Sequence, residues 1–333
     1  MVADPVALGS QPSFGEDPMR RTTLNLDTFL AVIFLAGCCI TVAVAQDQKT
    51  FPSPTAAGIA LFSAVQSNDE RAILEVLGPE ARKLVSSGDD TEDANDRATF
   101  VRRYQEMHRL VREPDGSTML YIGASNWPMP IPLVMSGQSW RFDTEAGKQE
   151  ILYRRVGANE ISTIRICQAL VAAQKEYYAL QHNRYAAQFF SDPGQENGLY
   201  WQAIDGRRKS PIGPLVASAD AAGYRRPVGG MPSAYHGYLY RILIGQGRNA
   251  PGGAKSYIQN GKMNGGFAFI AYPAEYRSSG VMTFLVGKDG VVHEKDLGRN
   301  TEDLARAMKA YNPDSSWRHS EDAQEKAAAL QDR

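Results

Sequence analysis

Residues 159–180 read NEISTIRICQALVAAQKEYYAL. Ile166, Leu170, Ala173, Tyr177 and Leu180 recur in steps of three and four, the spacing of one apolar face of an α-helix. Asn159 is a candidate N-cap, because its side-chain oxygen can accept from the first free backbone N–H groups, and Glu160 follows at the positive end of the helix dipole. Cys167 lies beside the stripe and reads as a packed thiol. A helix with one apolar stripe must be covered, and the sequence downstream supplies a sheet. Residues 235–244, 266–272 and 281–286 are rich in β-branched and aromatic side chains, and Asp289-Gly290 turns the chain back into Val291-Val292-His293. Asn300 then opens a final helix carrying Leu304, Met308 and Tyr311, and a polar tail occupies 313–333. Residues 158–312 are therefore expected to form an α+β unit in which one long helix packs on an antiparallel sheet.

The sequence before that helix has a different order of elements. Ser53-Pro54 opens a helix, with Ala57, Leu61, Ala64 and Val65 at helical spacing. Ile73, Leu74 and Leu77 mark a second, and Phe100, Tyr104 and His108 fall on one face of a third at i, i+4 and i+8. The acidic run Asp89-Asp90-Thr91-Glu92-Asp93 between them reads as a solvated loop or helix start and lacks calcium-loop spacing. From 110 to 143 the period shortens to two, with Asp115-Gly116 and Ser136-Gly137 as hairpin turns. Residues 51–150 are thus a second α+β unit, of helices followed by a curling antiparallel sheet. Its candidate ligand-binding side chains are Tyr104, Trp127 and Trp140, with His108 as a base and Asp143 as its partner if the unit performs catalysis. A core filled by these aromatics is the competing reading.

Two fold resemblances follow from these patterns. Helices succeeded by a curled sheet ending in Trp140-Arg141-Phe142-Asp143 resemble the cone-shaped nuclear-transport-factor-like fold, in which a cone between helices and sheet often binds small apolar ligands. The helix segment at 172–178, Arg184-Tyr185-Ala186 and the stretch from Thr283 to Val291 resemble the globular heads of type IV pilins and pseudopilins. Pilins carry that helix at the mature N-terminus, whereas here it is internal.

At the other end of the chain, residues 29–45 read FLAVIFLAGCCITVAVA, without a charge. Arg20-Arg21 precede this run and Gln46-Asp47-Gln48-Lys49 follows, the layout of a secretory signal peptide with a small-residue Ala43-Val44-Ala45 end. Cleavage after Ala45, lipidation of Cys38 within Leu35-Ala36-Gly37-Cys38, and retention as an uncleaved anchor are the three fates that fit. Met19 is an alternative start. The localisation expected is periplasmic or secreted, or a membrane-anchored lipoprotein.

Residues 51–150 hold 10 basic and 15 acidic side chains, and residues 151–333 hold 23 and 17, within a chain of net charge −1. With no basic arm, nucleic-acid binding is not expected. Once a signal segment is removed, Cys167 is the sole thiol, so neither an internal disulfide nor a Cys-x-x-Cys metal site is available. Gly245-Gln246-Gly247 imitates a dinucleotide fingerprint, but Pro251-Gly252-Gly253 follows where a helix N-terminus would have to hold the pyrophosphate. Neither a G-x-S-x-G, H-E-x-x-H nor P-loop pattern occurs, and no cofactor or metal is expected. His236 and His293 stand without further ligands at metal spacing.

A series of separated motifs runs from Gln48-Lys49-Thr50-Phe51-Pro52-Ser53-Pro54 through Ser86-Ser87-Gly88-Asp89, Asn126-Trp127-Pro128 and Trp140-Arg141-Phe142-Asp143. Ala250-Pro251-Gly252-Gly253-Ala254 and Gly280-Val281-Met282-Thr283-Phe284 extend it. Over residues 48–318 the chain resembles a bacterial family of exported proteins, domain of unknown function 2950. The resemblance implies export and an envelope setting, and it carries no activity. The function expected is therefore non-enzymatic binding or accessory work in the envelope, with an unidentified envelope protein or small ligand as partner. The alternatives are an enzyme using the first unit's pocket with His108 as base, and a pseudopilin-like assembly subunit.

Overall fold

The computed structural model describes residues 48–181, 183–204, 208–225 and 233–320. Met1 to Asp47, with the apolar run and Cys38, lie outside the described residues, as do Arg207 and Arg226 of the basic loop clusters. Helices α1 (Pro54–Gln66), α2 (Glu70–Leu77), α3 (Arg82–Val85) and α4 (Asp90–Glu106) come first. Ser53, Asp69 and Asp89 cap α1, α2 and α4, each accepting a backbone N–H three residues on. Strands β1 (His108–Arg112), β2 (Thr118–Ile122), β3 (Trp127–Pro128), β4 (Leu133–Ser136) and β5 (Ser139–Phe142) then form an antiparallel sheet in the order β1-β2-β4-β5, with β3 on β2. Ala57, Leu61, Ile73, Leu120, Ile131, Leu133 and Phe142 from both layers make one buried core.

Helix α5 (Thr144–Leu180) follows, 37 residues long. It differs from the sequence expectation at its start. Asn159 is not a cap but sits in mid-helix, because residues 145–156 are mostly good helix formers and nothing in them ends the helix. The glycines that might break it are tolerated, and Gly147 is required: a Cβ there would lie 2.2 Å from the Pro130 carbonyl oxygen. The first half of α5 is tied to the helical layer, with Lys148 ion-paired to Glu80 and Arg155 reaching α3. Its second half buries Ile164, Cys167, Leu170 and Val171 in the other core.

That core is closed by an antiparallel sheet. After α6 (Gly213–Ala221) come β6 (Tyr238–Leu243), β7 (Gly245–Gln246), β8 (Lys255–Ser256), β9 (Ile258–Gln259) and β10 (Lys262–Met263). Then follow β11 (Ala268–Pro273), β12 (Met282–Gly287), β13 (Val292–Asp296), α7 (Thr301–Ala307), β14 (Ala310–Tyr311) and β15 (Arg318–His319). The main order is β15-β13-β12-β11-β6. All six residues of β11 are buried, as suits a central strand with α5 on one face and loops and α7 on the other. The fold is α+β. Two further expectations are corrected locally. Helix α4 stops at Glu106 and places His108 on a strand, and α7 ends at Ala307, so that Tyr311 belongs to β14. Among the described residues, no helix is long and apolar enough to cross a membrane.

Candidate functional site

The aromatic side chains of the first core pack against one another. Tyr104 is buried with Phe62 stacked on it at 4.5 Å and His108 at 4.0 Å between ring centres. His108 itself is exposed, and its Nδ1 lies 2.9 Å from the Tyr104 carbonyl oxygen. Trp127 and Trp140 are half-buried against the same core, Trp140 through a strand-like bridge to Phe51. Asp143 precedes α5 and its nearest charge is Arg141, at 3.9 Å. His108 and Asp143 do not meet. They belong to opposite edges of a four-strand path, three strand spacings of roughly 4.8 Å apart, and the His108 rung lies at the far end of β1. Cys167 is fully buried and its thiol is pushed up to about 12 by desolvation, which keeps it protonated and unreactive.

The chemistry-bearing groups gather instead where α3, α4 and the middle of α5 meet the loop between β11 and β12. Asn159 Nδ2 donates to the Ser279 carbonyl at 3.0 Å, and Glu160 Oε1 accepts from the N–H groups of Val281 and Met282 at 3.2 and 3.0 Å. Tyr238 Oη donates to the Met282 carbonyl at 2.9 Å. The packing admits no side chain at two glycines: a Cβ on Gly280 would stand 2.2 Å from Tyr238 Oη, and one on Gly237 2.4 Å from Asn159 Nδ2. Ser278 Oγ donates at 3.0 Å to the Lys83 carbonyl, which Arg155 also reaches at 2.8 Å. Arg155 continues to the Leu84 carbonyl at 2.6 Å, so a guanidinium and a hydroxyl satisfy the open C-terminal carbonyls of α3.

This clasp holds the segment Glu275-Tyr276-Arg277 outward. Arg277 has φ +63°, a left-handed conformation that disfavours a long side chain, and its N–H donates to the Gly280 carbonyl at 2.8 Å. Its guanidinium lies 5.4 Å from the centre of the Tyr276 ring. Tyr276 Oη donates to Asp296 at 3.1 Å, while Lys83 Nζ donates to the Tyr276 carbonyl at 3.4 Å. Lys83, Glu275, Tyr276, Arg277 and Arg299 line a cleft of about 520 Å³. None of its three cations has a carboxylate within ion-pair distance among the described residues.

The family model described as a protein of unknown function, DUF2950, matches residues 48–320. The chain belongs to this family. No curated protein and no solved structure matches it. The DUF2950 match takes in both cores, α5 and the whole clasp.

An acidic network adjoins the DUF2950 clasp through Gly237. Asp89, 2% exposed, accepts from Glu92 N–H through Oδ1 at 3.1 Å, and through Oδ2 from Tyr224 Oη at 3.0 Å and Gly237 N–H at 2.9 Å. Tyr224 Oη accepts in turn from His236 N–H at 3.2 Å. Asp93, 4% exposed, accepts from Ser87 N–H at 2.8 Å. Among the described residues, Glu92 Oε2 and Asp93 Oδ1 have no hydrogen-bond partner. Burial, and then the neighbouring Asp89 and Asp96 charges, push the Glu92 carboxyl up to about 7, against the pull of Arg155. Burial also raises Asp93, against the Ser87 hydrogen bonds, and raises Tyr224 well above the usual phenol range, while it lowers His236. Asp89-x-x-Glu92 has the spacing of a capping box, yet Asp89 N–H donates to Ser87 Oγ, leaving Glu92 free to face its acidic neighbours. Among the described residues, no group of three or more His, Cys, Asp or Glu side chains could hold a metal ion.

Sequence reading overlooked this junction because its members come from five separate places in the DUF2950 chain. Two signals lie in the sequence: the run Ser86-Ser87-Gly88-Asp89 and the stretch from Gly280 to Phe284, both part of the motif series that resembles the family, for no reason visible at short range. The structure supplies the reason, since both segments are built into the clasp and the acidic network.

Proposed function

We propose that this DUF2950 protein is exported and works in the cell envelope by binding, as an accessory protein. The cleft beside the clasp carries the reading. Three cations from α3, the β11–β12 loop and the turn before α7 line one concavity, the first two mounted on backbone that hydrogen bonds already fix. Such preorganisation favours association, because little ordering cost remains to be met on binding. The apolar run at 29–45, with its basic and polar flanks, supports export. Intact mass of the native protein, from separated periplasmic and membrane fractions, tests the compartment. A soluble species beginning at Gln46, or a membrane species beginning at lipid-modified Cys38, agrees with it; a cytoplasmic species that retains residues 29–45 opposes it.

A pseudopilin-like reading draws on one specific observation, the lie of α5 across β11, β12 and β13. Co-purification from native membranes with a secretion or pilus complex would favour it over a free-standing binding protein. Turnover of an acyl, glycosyl or phosphoryl substrate that is lost in His108→Ala would favour an enzyme.

A further inference from the structure

We infer that the cleft lined by Lys83, Tyr276, Arg277 and Arg299 is a binding site for a phosphate group. This deepens the binding role proposed above and rests on it. The cleft's three cations and the single carboxylate of Glu275 leave a net charge of +2, matched to a phosphate dianion. Two of the cations are guanidinium groups, whose forked N–H donors fit the oxygens of a tetrahedral oxyanion, and the third is a lysine acting as a point charge. They come from three elements and not from one flexible run. Lys83 is on α3, Arg277 is in the loop after β11, and Arg299 is in the Gly298–Asn300 turn. Separate anchors hold the like charges around a common space while keeping them from collapsing onto one partner.

Two of these anchors have a visible cause. Lys83 Nζ is drawn toward the cleft by the Tyr276 carbonyl, and the backbone of α3 is fixed by Arg155 and Ser278. Tyr276 is tethered to Asp296, and its ring lies beneath the Arg277 guanidinium, which limits where that fork can point. Arg277 keeps a left-handed backbone that glycine would adopt more easily, so its side chain is displayed at a local cost, as happens at ligand sites. A volume of about 520 Å³ is room for a phosphate and part of the group that carries it. Glu275 opposes a second negative group at its end of the cleft.

The test is calorimetric titration of the purified native protein with inorganic phosphate, with citrate as a carboxylate probe, alongside flotation with phosphatidylglycerol vesicles and with phosphatidylcholine vesicles. R277Q and R299Q are exposed changes and should each weaken phosphate binding about tenfold or more. E275Q should tighten it several-fold, and K262Q, at an exposed lysine outside the cleft, should leave it unchanged. Saturable binding of free phosphate identifies a soluble ligand. Flotation with phosphatidylglycerol vesicles alone, lost in R277Q, identifies a lipid headgroup. Citrate binding as tightly as phosphate through the same residues would overturn the phosphate assignment and leave the cleft a binding site. If no anion bound, or if R277Q and R299Q bound phosphate like the parent, the inference would fail, and in the first case the cleft would also cease to support the proposed function.

Discussion

Glu92→Gln should make the protein more stable, and more so the higher the pH. In the folded state this carboxyl titrates at about 7, against 4.5 for the free side chain. The folded state therefore holds the proton more tightly than the unfolded chain, and stability contributed by the protonated form is present below about pH 4.5 and lost as pH rises through 7. At 1.36 kcal/mol per pKa unit, ionised Glu92 costs the fold about 3 kcal/mol at pH 8. Glutamine keeps the size and shape of the protonated acid and carries no charge, so this cost disappears. One effect runs the other way. Glu92 lies in the first turn of α4, where a negative charge gains about 0.3–1 kcal/mol from the helix dipole, which leaves a net gain of roughly 2–3 kcal/mol. For a folded part of this size that corresponds to a rise in melting temperature on the order of 4–6 °C. Urea unfolding of both proteins at about pH 4.5, 6, 7 and 8 would measure the difference directly. A variant no more stable than the parent at pH 8, or an advantage that failed to shrink toward pH 4.5, would show that the Glu92 charge does not burden the fold.

Three further outcomes are expected. Gly280→Ala, whose new methyl would fall 2.2 Å from Tyr238 Oη and 2.5 and 2.6 Å from Cζ and Cε2 of its ring, should destabilise by about 1–3 kcal/mol or more in denaturant unfolding; a loss under about 0.5 kcal/mol would rule out that collision. Asn159→Ala removes the donor to the buried Ser279 carbonyl and should cost about 1–3 kcal/mol, measured by denaturant unfolding, whereas a mere capping role would be absent in mid-helix; a change within 0.3 kcal/mol of zero would contradict the clasp. Cys167 should resist iodoacetamide in the folded protein at pH 8 and become labelled only on unfolding, as followed by peptide mass mapping; labelling at the rate of a free thiol would show that the site opens.

Much of the local structure was written in short-range pattern. Ser53-Pro54 opened α1 where capping rules place it, the period-two stretches after residue 110 became β1, β2, β4 and β5, and Asp289-Gly290 turned β12 into β13. These features depend on a few adjacent residues and their backbone preferences, so neighbours in sequence suffice to specify them. The start of α5 failed for an instructive reason. Asn159 has the side chain of an N-cap, but a residue's capping ability is used only if the chain before it leaves the helix, and residues 144–158 stay in it. The amide thereby became available for a partner 120 residues away.

Residue order and short-range pattern were enough for the α+β class, membership of the family over most of the chain, and the apolar stripe that buries Ile166, Leu170 and Tyr177. Where the charged groups act came from the packing of the elements. Asp89 looked like one of several solvated acids in a polar run, and Lys83, Arg277 and Arg299 like scattered surface cations. Burial turned the first into the centre of a hydrogen-bond network, and the folding together of three distant segments brought the other three around one cleft. Charge and desolvation depend on what stands within a few ångströms in space, and that proximity is set by the packing of whole elements, which no local spacing of residues encodes.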